Sequence, residues 1–375
     1  MPYSFLLNAG GRSLFSLAFF ATVATSALSA CSSDESNEPT PQVDAGVDSG
    51  PSLTLTPTIS PVTDLPAGAI YASAVPYGTD PMQVVDVFLP AATAPTAAVL
   101  YIHGGGFTAG SRAEPYKSGS GIRATLAAGV AVISVEYRLL LAPGTETEGV
   151  IKSLHDCERA LQFVRSNAAA LNIDPTRVGS TGVSAGAGAS MWLAYHDDMA
   201  DPTSADPIAR QSTRLKAISA VWPQATYDIL RWAPDVFAGE YAYITNDTFL
   251  SVEALRVQII QFYGLDIALK GDSAALLAAL NTPKMLAYRA DVDMLAELSA
   301  DDAPTYLAVE KPDLTPLDAQ FDVLHHPLHA LTVYNRANAV QTTVSGDIPA
   351  YSITSGAAPG SDAAFSFVVG RLAAP

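Results

Sequence analysis

The order of apolar segments in this sequence predicts an α/β fold, a doubly wound and mainly parallel sheet. Short apolar runs, typical of strands covered on both faces, alternate with longer segments of helical periodicity. Residues 225–300 interrupt this alternation with helical patterns and scattered aromatic side chains. We expect a helical insertion there, ahead of a further core strand, either as a partial lid over the carboxyl edge of the sheet or as a passive layer beside it.

Each element rests on its own pattern. Alternating apolar residues predict a strand at 83–89, and continuous apolar runs predict strands at 97–102, 130–137, 177–183, 215–222 and 304–309. Apolar residues at helical spacing predict helices over 154–171, 252–262 and 273–280. A stretch rich in alanine and small residues predicts a tightly packed helix over 185–195, and a last helix is expected at about 362–372. Cys157 falls on the apolar stripe of the first of these helices, where we expect a small buried side chain.

Composition limits the classes of function. The chain has 375 residues, of which 15% are charged and 49% are hydrophobic, so most of it is expected to be globular. Its formal net charge of −17 argues against nucleic acid as a partner, because the phosphates would be repelled.

The N-terminus is typical of an export signal. Arg12 precedes a mostly apolar stretch, residues 14–28, that is too short for a stable membrane span. Leu28-Ser29-Ala30-Cys31 resembles the lipobox of bacterial lipoproteins. This resemblance implies a signal peptide at 1–30, a lipid on Cys31 and a location at the cell envelope, with the lipid as the only membrane contact. An unmodified cysteine in an ordinary secretory signal is the alternative.

A polar tether is predicted to follow. Residues 31–58 are poor in large apolar side chains and cannot offset the entropy of ordering them, so we expect a flexible segment before a globular body at 59–375.

Two glycine motifs each follow a predicted buried strand. In Gly182-Val183-Ser184-Ala185-Gly186 the glycines permit a sharp strand-to-helix turn that exposes the serine hydroxyl. In His103-Gly104-Gly105-Gly106-Phe107 the glycines allow several backbone N–H groups to point at one place, as an oxyanion hole requires. We expect His103 to brace this loop by hydrogen bonding. The two motifs together predict a nucleophilic serine, and a plain tight turn is the alternative.

These motifs, with Val135-Glu136-Tyr137-Arg138-Leu139 and Ile173-Asp174-Pro175, resemble the α/β-hydrolase esterases of the hormone-sensitive-lipase and carboxylesterase types. The similarity covers about 77–195 and resumes at 298–304. It implies hydrolysis of carboxylic esters by a serine, an acid and a histidine, in that chain order, with no cofactor or metal. Carried over residue by residue, it makes Ser184 the nucleophile, places the oxyanion hole at Gly104, Gly105 and the N–H of Ala185, and puts the acid at Asp313, with Asp318 and Asp322 as alternatives.

The histidine of this triad is missing from its usual place. No histidine follows His329, and the segment 351–362, where the resemblance puts the base, has none. We therefore take one of His325, His326 and His329 as the base and assign His326 provisionally. His196 is excluded because twelve helical residues place it about 18 Å from Ser184. His155 belongs to a helix packed against the sheet.

The same three histidines, with Asp322, also suggest a zinc site. Pro327 argues against it, because a proline favours the first helical turn and leaves His325 ahead of the helix. The sequence thus predicts a serine hydrolase acting on small carboxylic esters outside the cytoplasm. The alternative is a catalytically silent member of the fold that binds a ligand or a partner.

Overall fold

An eight-stranded sheet organises the computed structural model, which describes residues 53–309, 320–356 and 361–373, all within the unit Pro51–Pro375. Its strands are β1 (Ile70–Pro76), β2 (Val84–Leu89), β3 (Thr96–Ile102), β4 (Ala131–Val135), β5 (Ile173–Val183), β6 (Ile218–Val221), β7 (Thr305–Ala308) and β8 (Val344–Asp347). They lie in the order β1-β2-β4-β3-β5-β6-β7-β8. Only β2 runs against its neighbours, and the ladder from β4 to β8 is parallel. The predicted fold class is confirmed.

Helices cover both faces of the sheet. They are α1 (Ser120–Ala127), α2 (Ile151–Ser166), α3 (Ala185–Tyr195), α4 (Asn246–Ser251), α5 (Glu253–Tyr263), α6 (Ser273–Leu280), α7 (Pro283–Asp291), α8 (Met294–Glu297), α9 (Gln320–His325), α10 (Pro327–Val340) and α11 (Ser361–Ala373). Successive residues of β3 point to opposite faces, so Leu100 packs into the core under α2 and α3, and Val99 into the core under α1 and α11. Among the helices described here, none is both long and apolar enough to cross a membrane.

Outside the insertion, the strands β1 and β8 and the helices α1 and α9 were not predicted from the sequence. In β1 the alternation is broken by Ala74, whose φ of 52° marks an irregularity in the pairing with β2. In β8 the sequence Val-Ser-Gly-Asp carries little apolar signal, and pairing with β7 makes it a strand. Helix α1 likewise lacked a clear apolar period, and Pro327 alone indicated the start of α10.

Helices α4 to α8 lie between β6 and β7, where the insertion was expected. The stretch begins with a loop and short helical turns after β6, and it contributes buried apolar side chains such as Phe249, Ile260 and Leu276 to the larger core. It therefore packs on the body of the protein through a substantial apolar contact.

A loop ahead of α2 connects this insertion to the glycine loop. Leu140 N donates to Phe107 O at 2.7 Å, and Val150 N donates to Phe262 O at 2.8 Å. Between them, the buried carboxylate of Glu146 accepts four backbone N–H groups, from residues 141, 147, 148 and 149, and pairs with the buried Lys152. Glu146 thus holds this connecting loop in one shape.

Glu146→Gln tests that role. Burial disfavours the charged carboxylate, but Lys152 and the N–H groups outweigh burial and lower the pKa of Glu146 from its ordinary 4.5 to about 2. The stabilisation is therefore fully present above about pH 4.5 and is lost as the pH falls through about 2. At pH 7 the variant should lose about 3 kcal/mol of unfolding free energy, measured by chemical denaturation. The difference from the parent protein should shrink toward pH 2.

The matched control is Glu148→Gln, because Glu148 is exposed and contributes only backbone atoms to this loop. Equal losses in the two variants, or a Glu146 effect independent of pH, would contradict the assignment.

Candidate active site

Ser184 stands at the sharp turn between β5 and α3. Its φ of 54° and ψ of −116° lie in a region that non-glycine residues rarely adopt. The turn is held by Ser184 N, which donates to Val221 O at 2.8 Å, and by Gly188 N, which donates to Ser184 O at 3.1 Å. The predicted strand-turn-helix context of the motif is therefore present.

The flanking glycines of this turn are sterically required. A Cβ on Gly182 would lie 2.2 Å from Gly186 O, and a Cβ on Gly186 would lie 1.9 Å from Ile102 O. Both approaches are to backbone atoms, which cannot swing aside. The close passage of β5, α3 and the end of β3 brings Ser184 next to the glycine loop.

His325, the last residue of α9, contacts the serine. Its Nε2 lies 2.8 Å from Ser184 Oγ, although the two residues are 141 positions apart. The ring also packs against Trp222, at 5.6 Å between centroids. Trp222 directly follows β6, so the imidazole lies over the strand next to the one that carries the serine. A hydroxyl and an imidazole at this distance are arranged for proton transfer.

The provisional assignment of His326 as the base disagrees with the structure, in which His325 contacts Ser184. The His326 side chain faces the other way and caps α10, where its Nδ1 accepts from Leu328 N at 3.1 Å. It is 2% exposed and packs against Phe237 and Tyr241. The side chain of His326 takes this direction because Pro327 occupies the first position of α10 and makes His326 the N-cap of that helix.

His329 is also directed away from Ser184. It is completely buried, accepts from Ala225 N at 3.1 Å through Nδ1, and contacts Val323 O at 2.9 Å through Nε2. Because the three histidines serve three different sets of partners, they do not converge on one point. Within the described residues, no group of three histidine, cysteine, aspartate or glutamate side chains is placed to hold a metal ion.

The predicted acids lie beyond what the structure describes. Asp313 and Asp318 fall outside the described residues, and the side chain of Asp322 is not described either. The carboxylate that ends β8, Asp347, is engaged by Tyr306 and by Ser355. Asp347 thus holds the segment after β8 in place.

Gly104 was predicted as an oxyanion donor, but the structure gives its N–H a different acceptor. Gly104 N donates to the carboxylate of Glu114 at 3.2 Å, so this N–H is turned away from the serine. Gly105 and Gly106 have φ values of 106° and 61°, and neither of their N–H groups has a protein acceptor among the described residues. With the N–H of Ala185, the first residue of α3, these are the donors available for an oxyanion.

His103 braces this loop from beneath, as expected. Its Nδ1 lies 2.8 Å from Gly104 O and its Nε2 lies 3.0 Å from a Glu136 carboxylate oxygen. The ring stacks on Tyr137 at 4.1 Å, and Tyr137 Oη donates to His103 O at 2.9 Å. Arg112 completes the support by binding Glu136 at 3.2 Å. Sequence reasoning missed the two carboxylates, Glu114 and Glu136, because charged residues near a glycine loop carry no distinctive pattern.

The remaining histidines are distant from the serine. His196, just past the end of α3, contacts Trp192 O and Asp291, and His155 lies on α2 beside Trp192. Their exclusion as bases agrees with these positions. Cys157 is buried in α2.

An apolar cavity of about 340 Å³ opens beside Ser184. The insertion supplies much of its wall through Ile229, Trp232, Phe249, Leu255, Ile259 and Phe262. None of the described lining residues has a charged side chain. The insertion therefore contributes much of the wall of the cavity beside Ser184.

Residues 85–233 match the family model BD-FAE, which describes an α/β-hydrolase esterase family. The match covers β2 to the start of the insertion and includes both glycine motifs. His325 lies outside it.

Solved structures share the fold at low identity. A truncated carbohydrate esterase from gut microbiota is 18% identical, with 84% of this chain and 99% of that chain covered and a TM-score of 0.53. A tributyrin-phosphonate-inhibited esterase B from Lactobacillus rhamnosis is also 18% identical, with 83% and 88% covered and a TM-score of 0.50. The fold is that of the α/β-hydrolases, and the family match supports a carboxylic ester hydrolase.

Proposed function

We propose that this protein hydrolyses carboxylic esters with Ser184 as nucleophile and His325 as general base, outside the cytoplasm. The observation that carries the proposal is the 2.8 Å contact between Ser184 Oγ and His325 Nε2, close to two glycine-loop N–H groups that have no protein acceptor among the described residues. A serine hydroxyl is a weak nucleophile until a base removes its proton, and the base here comes from a different part of the chain than in the esterases it resembles.

The geometry supports acyl transfer in two steps. His325 Nε2 takes the Ser184 proton as Oγ attacks the ester carbonyl carbon, and the N–H groups of Gly105, Gly106 and Ala185 receive the oxyanion. The C–O bond to the alcohol then breaks, and the alcohol leaves with the proton from His325. In the second step His325 takes a proton from water as its oxygen attacks the acyl carbon. The bond to Ser184 Oγ then breaks, the proton returns to Oγ, and the carboxylic acid leaves. We propose Asp313 as the acid that orients His325, with Asp318 and Asp322 as alternatives.

The alternative is a catalytically silent member of the fold that binds a ligand or a partner, and the geometry around Ser184 does not favour it. A protein without catalysis has no need for a strained, half-buried serine that contacts an imidazole, since such backbone strain costs about 1–3 kcal/mol. The orientation of Gly105 and Gly106, whose N–H groups have no protein acceptor within the described part of the chain, likewise favours the enzyme.

The cavity favours a particular kind of ester. Its size lies at the lower end of the range for small-molecule sites, and its described lining is uncharged. We propose that it holds one compact, neutral, apolar limb of the substrate.

We further propose that the protein is a lipoprotein of the cell envelope, anchored through Cys31, which lies outside the described residues. The lipobox-like sequence and the polar segment after it support this location. The ester substrate would then be a small molecule met outside the cytoplasm.

Ser184→Ala and His325→Asn test the catalytic pair. Each should lower kcat/KM for a p-nitrophenyl ester by at least about 10³-fold, because each removes one partner of the proton transfer. A fluorophosphonate probe should label the parent protein and fail to label Ser184→Ala.

His326→Asn is the matched control for His325→Asn. An asparagine oxygen can replace Nδ1 as the cap of α10, so this variant should retain activity within about threefold. The proposal fails if folded parent protein is neither labelled nor active at neutral pH, or if His326→Asn and not His325→Asn abolishes activity.

The cavity predicts a dependence on acyl length. Each added methylene that enters it should contribute about 0.8 kcal/mol, a factor of about four in kcat/KM, until the cavity is filled. The measured series runs from acetyl through hexanoyl to palmitoyl p-nitrophenyl esters, with an intermediate optimum expected. Leu255→Trp, which narrows the cavity, should move the optimum to a shorter chain. A flat series in both proteins would contradict the assignment.

Lipidation is tested by Cys31→Ser in a bacterial host that processes lipoproteins. The parent protein should partition into the detergent phase of Triton X-114 and the variant into the aqueous phase. An aqueous parent protein whose N-terminal peptide has no added lipid mass would rule the anchor out.

A further inference from the structure

We propose that His329 and Gln224 are positioning residues, which clamp the last turn of α9 and thereby hold the His325 imidazole against Ser184. This inference rests on the proposed function, because it concerns the base of that reaction. It assigns a role to two side chains that do not themselves contact the serine.

The clamp consists of two hydrogen bonds to neighbouring carbonyl groups. His329 Nε2 lies 2.9 Å from Val323 O, and Gln224 Nε2 donates to Leu324 O at 2.8 Å. These carbonyls belong to the final turn of a six-residue helix and have no partner within it. His325 is the next residue, so the two bonds fix the backbone from which its imidazole projects.

The other ends of the clamp are anchored in the body of the protein. Gln224 and Ala225 lie just past the end of β6, two and three residues after Trp222. Ala225 N donates to His329 Nδ1 at 3.1 Å. His329 also packs between the rings of Trp232, at 5.0 Å, and Phe237, at 5.6 Å. The segment after β6 thus holds α9 directly through Gln224, and it also anchors His329 of α10, which makes the second bond.

The proton arrangement on His329 is fixed by its partners. Nδ1 accepts from a backbone N–H, so Nε2 bears the hydrogen and donates to Val323 O. Burial lowers the pKa of His329 to about 3, so the ring stays neutral and both bonds persist near neutral pH.

The clamp matters because α9 is short. A short helix of six residues has little stability of its own, so its position depends on tertiary contacts. A displacement of about 1 Å at a catalytic group can cost about 100-fold in rate. Loss of the clamp should therefore slow the reaction of Ser184 without changing the chemistry of the triad.

Two variants of His329 distinguish a role in holding α9 by a hydrogen bond from a role in packing alone. In His329→Gln, the amide nitrogen takes the place of Nε2 and can still donate to Val323 O. In His329→Asn, the amide oxygen takes the place of Nδ1 and can accept only from Ala225 N. A role in packing alone predicts similar effects, whereas the clamp predicts rescue by glutamine and not by asparagine.

The readout is the rate at which a fluorophosphonate probe labels Ser184, normalised to the final labelled fraction so that unfolded molecules do not count. We expect His329→Gln to react within about threefold of the parent protein, and His329→Asn about 10- to 100-fold more slowly. With a p-nitrophenyl ester, the loss in His329→Asn should appear in kcat with KM little changed. His196→Asn is the control, since it alters a histidine with two hydrogen bonds far from Ser184.

Equal rates for His329→Asn and the parent protein, or equal losses in the two His329 variants, would overturn the clamp. If His329→Asn does not fold, Gln224→Leu decides: it breaks the bond to Leu324 O, and an undiminished labelling rate overturns the proposal. Failure of the proposed function is distinct, because the parent protein itself would then remain unlabelled.

Discussion

The contact between Ser184 Oγ and His325 Nε2 joins parts of the chain that fold as separate elements. Ser184 is fixed by the register of β5 with β6 and by the start of α3, whereas His325 ends a short helix beyond β7. In the proposed mechanism, activation of the serine requires that the carboxyl edge of the sheet, the segment after β6 and α9 are all in place. Much of the surrounding structure holds these two side chains at this distance from each other.

The support is divided between polar and apolar contacts. Beneath the glycine loop, His103, Glu114 and Glu136 hold the peptide groups in an orientation that leaves two N–H groups open. Above the serine, the insertion contributes an aromatic and aliphatic wall. The polar side sets the direction of hydrogen bonds, and the apolar side excludes water from the place where charge develops.

The sheet was predictable because its central strands are continuous apolar runs, and the helix after Ser184 was predicted at its observed bounds. β1 and β8 were not, since their strand character depends on pairing with neighbours. At the site, local motifs identified Ser184 and the glycine loop. They did not show that Gly104 N faces Glu114, because the direction of a peptide group depends on a side chain ten residues away. The choice of His325 over His326 had a readable signal: Pro327 marks the start of a helix, which makes His326 its cap.

The groups placed around Ser184 come from parts of the chain that precede α11. The serine, the glycine loop and the contacting imidazole all precede residue 326, whereas α11 contributes Phe365, Val368 and Leu372 to the core on the far face of the sheet. Substitutions at these three positions should therefore be limited by side-chain volume and hydrophobicity. Here the sequence can drift between related proteins as long as the packing under the sheet is kept.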